Sequence, residues 1–370
     1  MNKQRNKDYR QRIDQALATP KLQDALHKFG DAYMVSRGNA FANYDFEAMR
    51  NEISEMKTGV RQNHAALLQQ FIGNAEAAGA TVYLAKTAED ANNYIAELAK
   101  KKGAKLAVKS KSMASEETHL NVALEKAGTR ALETDLGEWI IQLAGQKPSH
   151  MVLPAIHMFK EEVAELFSKE TGKQEKAEIK HLVEVARQQL RQGYLDAEIG
   201  ITGANIAVAE TGGIALVTNE GNARLASTLP KVHVALVGIE KLVPTLEDAT
   251  SIIRVLPKNA TGQPLTSYVT WIRGAVPCAG EEKELHIVLL DNGRSALAES
   301  PQCQDALNCI RCGACANVCP VYQTVGGHVF GHIYIGAIGI ILTAFFHGLE
   351  NAAELVRACI GCRSCVAICP

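Results

Sequence analysis

The chain has 370 residues, 47% apolar and 21% charged, enough to bury the cores of two or three domains and too apolar for a disordered chain. Lys and Arg number 39 against 40 Asp and Glu, so the formal net charge is −1. That balance offers no electrostatic footprint for nucleic acid or anionic lipid.

The first residues, MNKQRNKDYRQRIDQAL, are charged and lack an apolar segment, which excludes a secretory signal. Asp8 and Asp14 argue against a mitochondrial presequence. Residues 1–60 read as a helical segment. Tyr9, Ile13 and Leu17 make one apolar stripe, and Phe46, Met49, Ile53 and Met56 make another. Their expected role is packing against the next domain.

Residues 61–294 alternate between helix and strand. HAALLQQFIGNAEAAG is a helix ending at Gly79, and TAEDANNYIAELAKKKG is one with Thr87 as N-cap and Gly103 past its end. ATVYLA (80–85), KLAVKS (105–110), HMVLP (150–154), NIAVAE (205–210), GIALVT (213–218), VHVALVGI (232–239) and LHIVLL (285–290) read as short buried strands. Strands separated by helices predict an α/β domain with a largely parallel sheet. From residue 295 the composition turns to cysteine, glycine and small residues, which places a third unit at 295–370.

Eight of the ten cysteines crowd between Cys309 and Cys369. A disulfide framework is spread through a short secreted chain, so a largely cysteine-free body points to a reducing compartment and metal ligation. The first run is Cys309, Cys312, Cys315 and Cys319-Pro320. The second is Cys359, Cys362, Cys365 and Cys369-Pro370. Both have the bacterial ferredoxin spacing, in which the fourth cysteine ligates the other cluster. One [4Fe–4S] cluster is thus expected on Cys309, Cys312, Cys315 and Cys369. The other is expected on Cys359, Cys362, Cys365 and Cys319. Structural zinc takes paired CxxC units and calls for neither the third cysteine nor the Cys-Pro closure. Cys278 and Cys303 lie outside both runs and read as ordinary thiols.

Between the runs lies Val329–Phe346, VFGHIYIGAIGIILTAFF, close to the minimum length for a membrane span. A crossing there would part runs that share clusters, so the stretch is expected to be buried turn and helix.

Three polar loops are candidates for a ligand or a partner. They are Lys109, Ser110, Lys111 and Ser112; Glu210, Thr211, Gly212 and Gly213; and Asn219, Glu220, Gly221 and Asn222 with Arg224. Open parallel sheets bind ligands at such places, and Lys, Arg and glycine amides suit a carboxylate or phosphate. A tight turn explains Gly212 and Gly213 equally well. Asp135 followed by Glu138 reads as a helix cap rather than a metal site with Glu133. His157 reads as a hydrogen-bonded loop histidine.

The segments KSKSMASEE, ETDLGEWIIQL, KPSHMVLPAIH, ITGANIAVAETGGIALVTNEGNARL and GIEKLVPTLED, followed by LDNGRS and CIRCGACANVCPVY, occur in an order that resembles the lactate utilisation protein B family. The resemblance runs from about residue 40 to the end. It implies a lactate-utilisation domain similar in fold to the sugar-phosphate isomerase and CoA-transferase group, followed by a ferredoxin-like two-cluster module. It also implies a cytoplasmic iron–sulfur subunit, free or peripheral to the membrane's inner face, that transfers electrons as L-lactate is oxidised to pyruvate. Its implied partners are a cysteine-rich redox protein and a second lactate-utilisation-domain protein. Two departures stand out. Family members usually continue beyond the second cysteine run, so a chain shortened at its C-terminus is expected. ETGG stands where the family often has a threonine after the first glycine. Two rival readings are an acyl or CoA enzyme with Glu210 as nucleophile and a redox-sensing regulator.

Overall fold

A computed structural model describes residues 3–275 and 282–370, with side chains from residue 7 onward. Cys278 lies outside the described residues. Four helices open the chain: α1 (Lys3–Leu17), α2 (Pro20–Phe41), α3 (Phe46–Gln62) and α4 (His64–Ala77). Ten strands follow: β1 (Thr81–Ala85), β2 (Leu106–Lys109), β3 (Arg130–Glu133), β4 (Ile199–Thr202), β5 (Ile206–Val208), β6 (Gly213–Thr218), β7 (Val232–Gly238), β8 (Leu242–Val243), β9 (Tyr268–Ile272) and β10 (Glu284–Leu290).

Six strands form a sheet in the order β1-β10-β7-β4-β2-β3, parallel at every pairing. All seven residues of β7 are buried, as expected of a strand covered by helices on both faces. The intervening helices start where expected. Thr87 accepts the Asp90 amide and Asp135 accepts the Glu138 amide.

The sequence reading departs from the structure in three places. HMVLP is a loop, because the His150 ring accepts the backbone N–H groups of Val152 and Leu153 and curls the segment on itself. The strands RALE, IGIT and YVTWI carry too little apolar pattern in isolation to be seen. Finally, β5, β6, β8 and β9 form a separate four-stranded sheet in the order β8-β5-β6-β9, with antiparallel β5/β6 and β6/β9 pairs. Thr211 and Gly212 form the turn of its hairpin. Gly212 has φ +67°, and a side chain there would strike the backbone of Asn74 and Ala75 in α4.

The N-terminal helices cover more than the α/β region. Tyr9, Ala16, Leu22 and Leu26 share an apolar core with Tyr322, Val325, Val329 and Leu355 of the cysteine-rich module. Tyr33, Phe41 and Ile53 pack with Val255 of helix Leu246–Thr261 and with Ile310 and Ile368. The Val329–Phe346 stretch contributes one short helix, Gly336–Phe346, about 16 Å long against a ~30 Å hydrocarbon core. Among the described residues no helix is long and apolar enough to cross a membrane.

A buried ionic network ties the sheet's carboxyl edge to the cysteine-rich module. Arg294, 1% exposed, donates to Glu117 Oε1 and Oε2 at 2.9 Å each and to Glu240. Arg311, between the first two cysteines, donates to Glu240 at 3.0 Å, and the Tyr334 hydroxyl donates to Glu117 at 2.6 Å. Burial opposes ionisation of both carboxylates, but Arg294 outweighs it and holds Glu117 and Glu240 below their usual range. Arg294→Ala would strand two buried carboxylates and is expected to cost about 3–5 kcal/mol in urea unfolding. Tyr334→Phe should cost less, about 1.5–3 kcal/mol. The folded pKa values are depressed, so the network's contribution is full above the ordinary carboxylate range and is lost as pH falls through those values. Wild-type stability for Arg294→Ala would refute this account.

Candidate metal centre

Each cysteine run wraps its backbone in the same way. Two and four residues after its first cysteine, each run takes a left-handed conformation: Arg311 (φ 62°) and Gly313 (φ 78°) in the first, Gly361 (φ 68°) and Arg363 (φ 61°) in the second. These turns give the two runs the same backbone path. The arginine and glycine exchange places between the runs.

The first run is the enclosed one. Cys312 is 7% exposed, and Cys309, Cys315 and Cys319 are partly covered. Amide groups are directed at its sulfurs. The Arg311 backbone N–H donates to Cys309 Sγ at 3.4 Å, and Asn259 Nδ2 donates to Cys312 Sγ at 3.4 Å. The Ile338 backbone N–H, in the first turn of helix Gly336–Phe346, bonds Cys315. That helix can approach so closely because Gly336 has φ +75° and no Cβ; a Cβ would lie 2.7 Å from Cys315 Sγ.

Asn259 is fully buried and holds several elements together. Its amide also donates to the Ile368 carbonyl at 3.1 Å, its Oδ1 accepts Arg37 Nε at 2.7 Å, and its carbonyl accepts the Tyr33 hydroxyl at 2.8 Å. Behind the run, His150 Nδ1 accepts two backbone N–H groups, so Nε2 carries the proton and donates to Asn317 Oδ1 at 2.7 Å. Burial pushes this imidazole down to about 4, keeping it neutral.

The fourth cysteine of each run lies with the other run. Burial and then the neighbouring Cys309 and Cys312 push the Cys369 thiol up to about 12. Burial also raises Cys319, with Cys362 and Cys359 adding to the shift. Cys319, Cys359, Cys362 and Cys365 border a cavity of about 130 Å³, with Cys315 also on its edge. Burial and then Cys309 push Cys312 up to about 11. Grouped sulfurs that are costly as bare thiolates fit a cationic iron–sulfur core, which takes thiolate donors. Cys359 and Cys362 are exposed, so the second run faces solvent. Cys303 lies outside both groups, before the turn Gln304–Asn308.

The three polar loops separate. A cavity of about 530 Å³ lies at the carboxyl ends of β2, β4 and β7. Ser110, Lys111, Asn219, Glu220 and Asn222 line it. Lys111 also donates to the Val152 carbonyl at 2.8 Å. Lys109 is sealed in the protein, paired to Glu133 at 2.7 Å and Glu116 at 2.8 Å. Glu210, Thr211 and Gly212 belong to the hairpin turn against α4, outside the cavity lining. Arg224 lies outside the lining too, its guanidinium 4.4 Å from the Tyr268 ring centre. His157 hydrogen-bonds Gln146 at 2.8 Å and stacks on His328.

Sequence reasoning missed Asn259, Asn317, His150, Glu240 and Lys241. They carry no motif spacing, and only the chain's folding brings them to the cysteines. Arg311 carried the one available signal, a long charged residue inside a tight ligand loop.

Residues 68–290 match the LUD domain family model, and residues 305–370 match the 4Fe-4S dicluster domain. Lactate utilization protein B of Shouchella clausii is 43% identical over 98% of this chain and 77% of its own length. That of Oceanobacillus iheyensis is 42% identical over 98% and 76%. An uncharacterized electron transport protein of Escherichia coli, YkgF, is 39% identical over 99% and 77%. A solved DUF162 family protein from Deinococcus radiodurans aligns at a TM-score of 0.33 and 16% identity over 61% of this chain and 97% of its own, too distant to bear on the fold. With its LUD domain, its dicluster domain for two [4Fe–4S] clusters and its near full-length match, the chain belongs to the lactate utilization protein B family of iron–sulfur proteins.

Proposed function

We propose that this chain is the electron-transfer subunit of a complex oxidising L-lactate to pyruvate. The observation that carries the reading is the interleaving of the cysteine runs. In this reading Cys309, Cys312, Cys315 and Cys369 hold one cluster, and Cys359, Cys362, Cys365 and Cys319 hold the other. Shared runs require neighbouring clusters, the arrangement a relay needs. When bound, each cluster supplies a one-electron redox centre.

The chain's own residues set the conditions. The amides of Arg311, Asn259 and Ile338 donate to first-run sulfurs and favour the more reduced, more negative state. Helix α2, helix Leu246–Thr261 and the His150 loop keep water from that run. The second run, with Cys359 and Cys362 exposed, is the face on which a partner collects or delivers electrons.

Lactate gives up two electrons and two protons to become pyruvate, so a group that splits the pair is required. We assign it to a partner, either the cysteine-rich protein or the second LUD-domain protein. The names of the relatives, lactate utilization and electron transport, support the same pathway. A Glu210 nucleophile has no such support, since that residue is exposed and outside the cavity lining.

Anaerobically purified chain should carry about eight iron and eight sulfide, as two cubanes require. Cys319→Ser should damage the cluster held mainly by the second run. Damage confined to the first-run cluster, seen by electron paramagnetic resonance, would overturn the crossed assignment. Two zinc ions in colourless protein would overturn the clusters.

The chain alone should stay oxidised with L-lactate and become reduced once both partners are added, again read by electron paramagnetic resonance. Rapid reduction of the isolated chain would make it a self-sufficient dehydrogenase. Silence with both partners present would remove the lactate assignment.

A further inference from the structure

The 530 Å³ cavity has no part in the relay as described, yet its lining includes a guanidinium nitrogen without a hydrogen-bond partner and a lysine without an ion pair among the described residues. Arg311 is the first. Its side chain is 6% exposed, and one terminal nitrogen donates to Glu240 at 3.0 Å. The other, Nη1, is buried with no hydrogen-bond partner among the described residues, on a residue that lines the cavity. A buried guanidinium nitrogen left unpaired is costly and calls for an acceptor.

Lys241 is the second. It lines the same cavity, close enough to Arg311 for the two charges to interact. Glu240, the nearest acid, is already taken by Arg294 and Arg311, and Lys241 has no ion pair of its own among the described residues. Burial and then the charge of Arg311 push its ammonium down to about 8, a strain that a bound anion would relieve.

The rest of the cavity suggests the size and shape of an occupant. Met113, Val152, Leu216 and Leu256 give it an apolar wall, and Asn205 and Asn219 a polar rim. Its volume falls in the range of about 300–1,000 Å³ found for cofactor and drug-sized ligands. A three-carbon acid would fill a small part of it.

We propose that this cavity binds an organic anion of up to mononucleotide size, its carboxylate or phosphate seated between Arg311 and Lys241 and its body along the apolar wall. Arg311 also donates its backbone N–H to Cys309 Sγ, so the occupant's charge lies beside the first-run cluster. Occupancy is therefore felt by that cluster.

The test uses the full chain, purified anaerobically with its clusters. Equilibrium dialysis is run separately with flavin mononucleotide, a phosphate monoester, and with pyruvate, a carboxylate. At least one should bind, and inorganic phosphate should compete with the first. Lys241→Ala should weaken binding about tenfold, and Lys241→Glu more, at unchanged iron content. Arg224→Ala, a cation outside the cavity, should leave binding unchanged. Saturation should alter the electron paramagnetic resonance signal of one reduced cluster in the wild type and not in Lys241→Glu. Binding by flavin mononucleotide alone identifies a phosphate site, and binding by pyruvate identifies a carboxylate site. No binding of either at millimolar concentration, or binding indifferent to both Lys241 substitutions, overturns the proposal. Because the readouts are binding and a spectrum in the absence of lactate, their outcome is separate from that of the relay.

Discussion

The structure depends on one buried ionic chain, Glu117–Arg294–Glu240–Arg311. Its members come from four places: a short helix after β2, the segment after β7, the segment after β10, and the first cysteine loop. Three of these follow the carboxyl ends of parallel strands, so the sheet sets their spacing. The fourth sets the position of the first run. Burying such charges gives little net stability, since desolvation cancels much of the attraction. What the network does is exclude other arrangements. A cysteine module docked elsewhere would part Arg311 from Glu240 and leave Glu240 Oε1 without its donor. The network therefore fixes where the α/β domain meets the first run.

From that constraint follows the difference between the two runs. The first is drawn under Asn259, the His150 loop and α2, and receives amide donors at all four sulfurs. The second carries its exposed cysteines outward. Burial lowers a cluster's potential by penalising added negative charge, while N–H donors and nearby cations raise it. Lys57, Lys241 and Arg311 all feel the charge of Cys309. The two clusters of one chain are thus set in different fields.

The sequence made some of this legible and hid the rest for physical reasons. The cysteine spacings were legible because cubane geometry dictates local spacing, and local spacing survives in one dimension. The parallel core was legible in runs such as VHVALVG, buried on both faces. The strands IGIT and RALE were not, because their burial comes from neighbours far along the chain. HMVLP carried strand-like residues, but the His150 ring captured the amides a strand would have offered. Lys109 and Arg224 looked alike in a polar loop. Folding seals one against Glu133 and stacks the other on Tyr268. The sign of a charge is written in the sequence; its counter-charge is not.

The exchange of Arg311 and Gly361 draws these threads together. The two runs share one backbone path, so glycine is admissible at both positions and easier at each. The exposed run has glycine here and carries its own left-handed arginine, Arg363, two residues on. At the enclosed run an arginine accepts left-handed strain, gives its backbone N–H to Cys309, and extends its side chain to Glu240 and the cavity. No other residue described here touches a cluster ligand, the interdomain network and the cavity at once. A change in charge at any of the three reaches the other two through a single side chain.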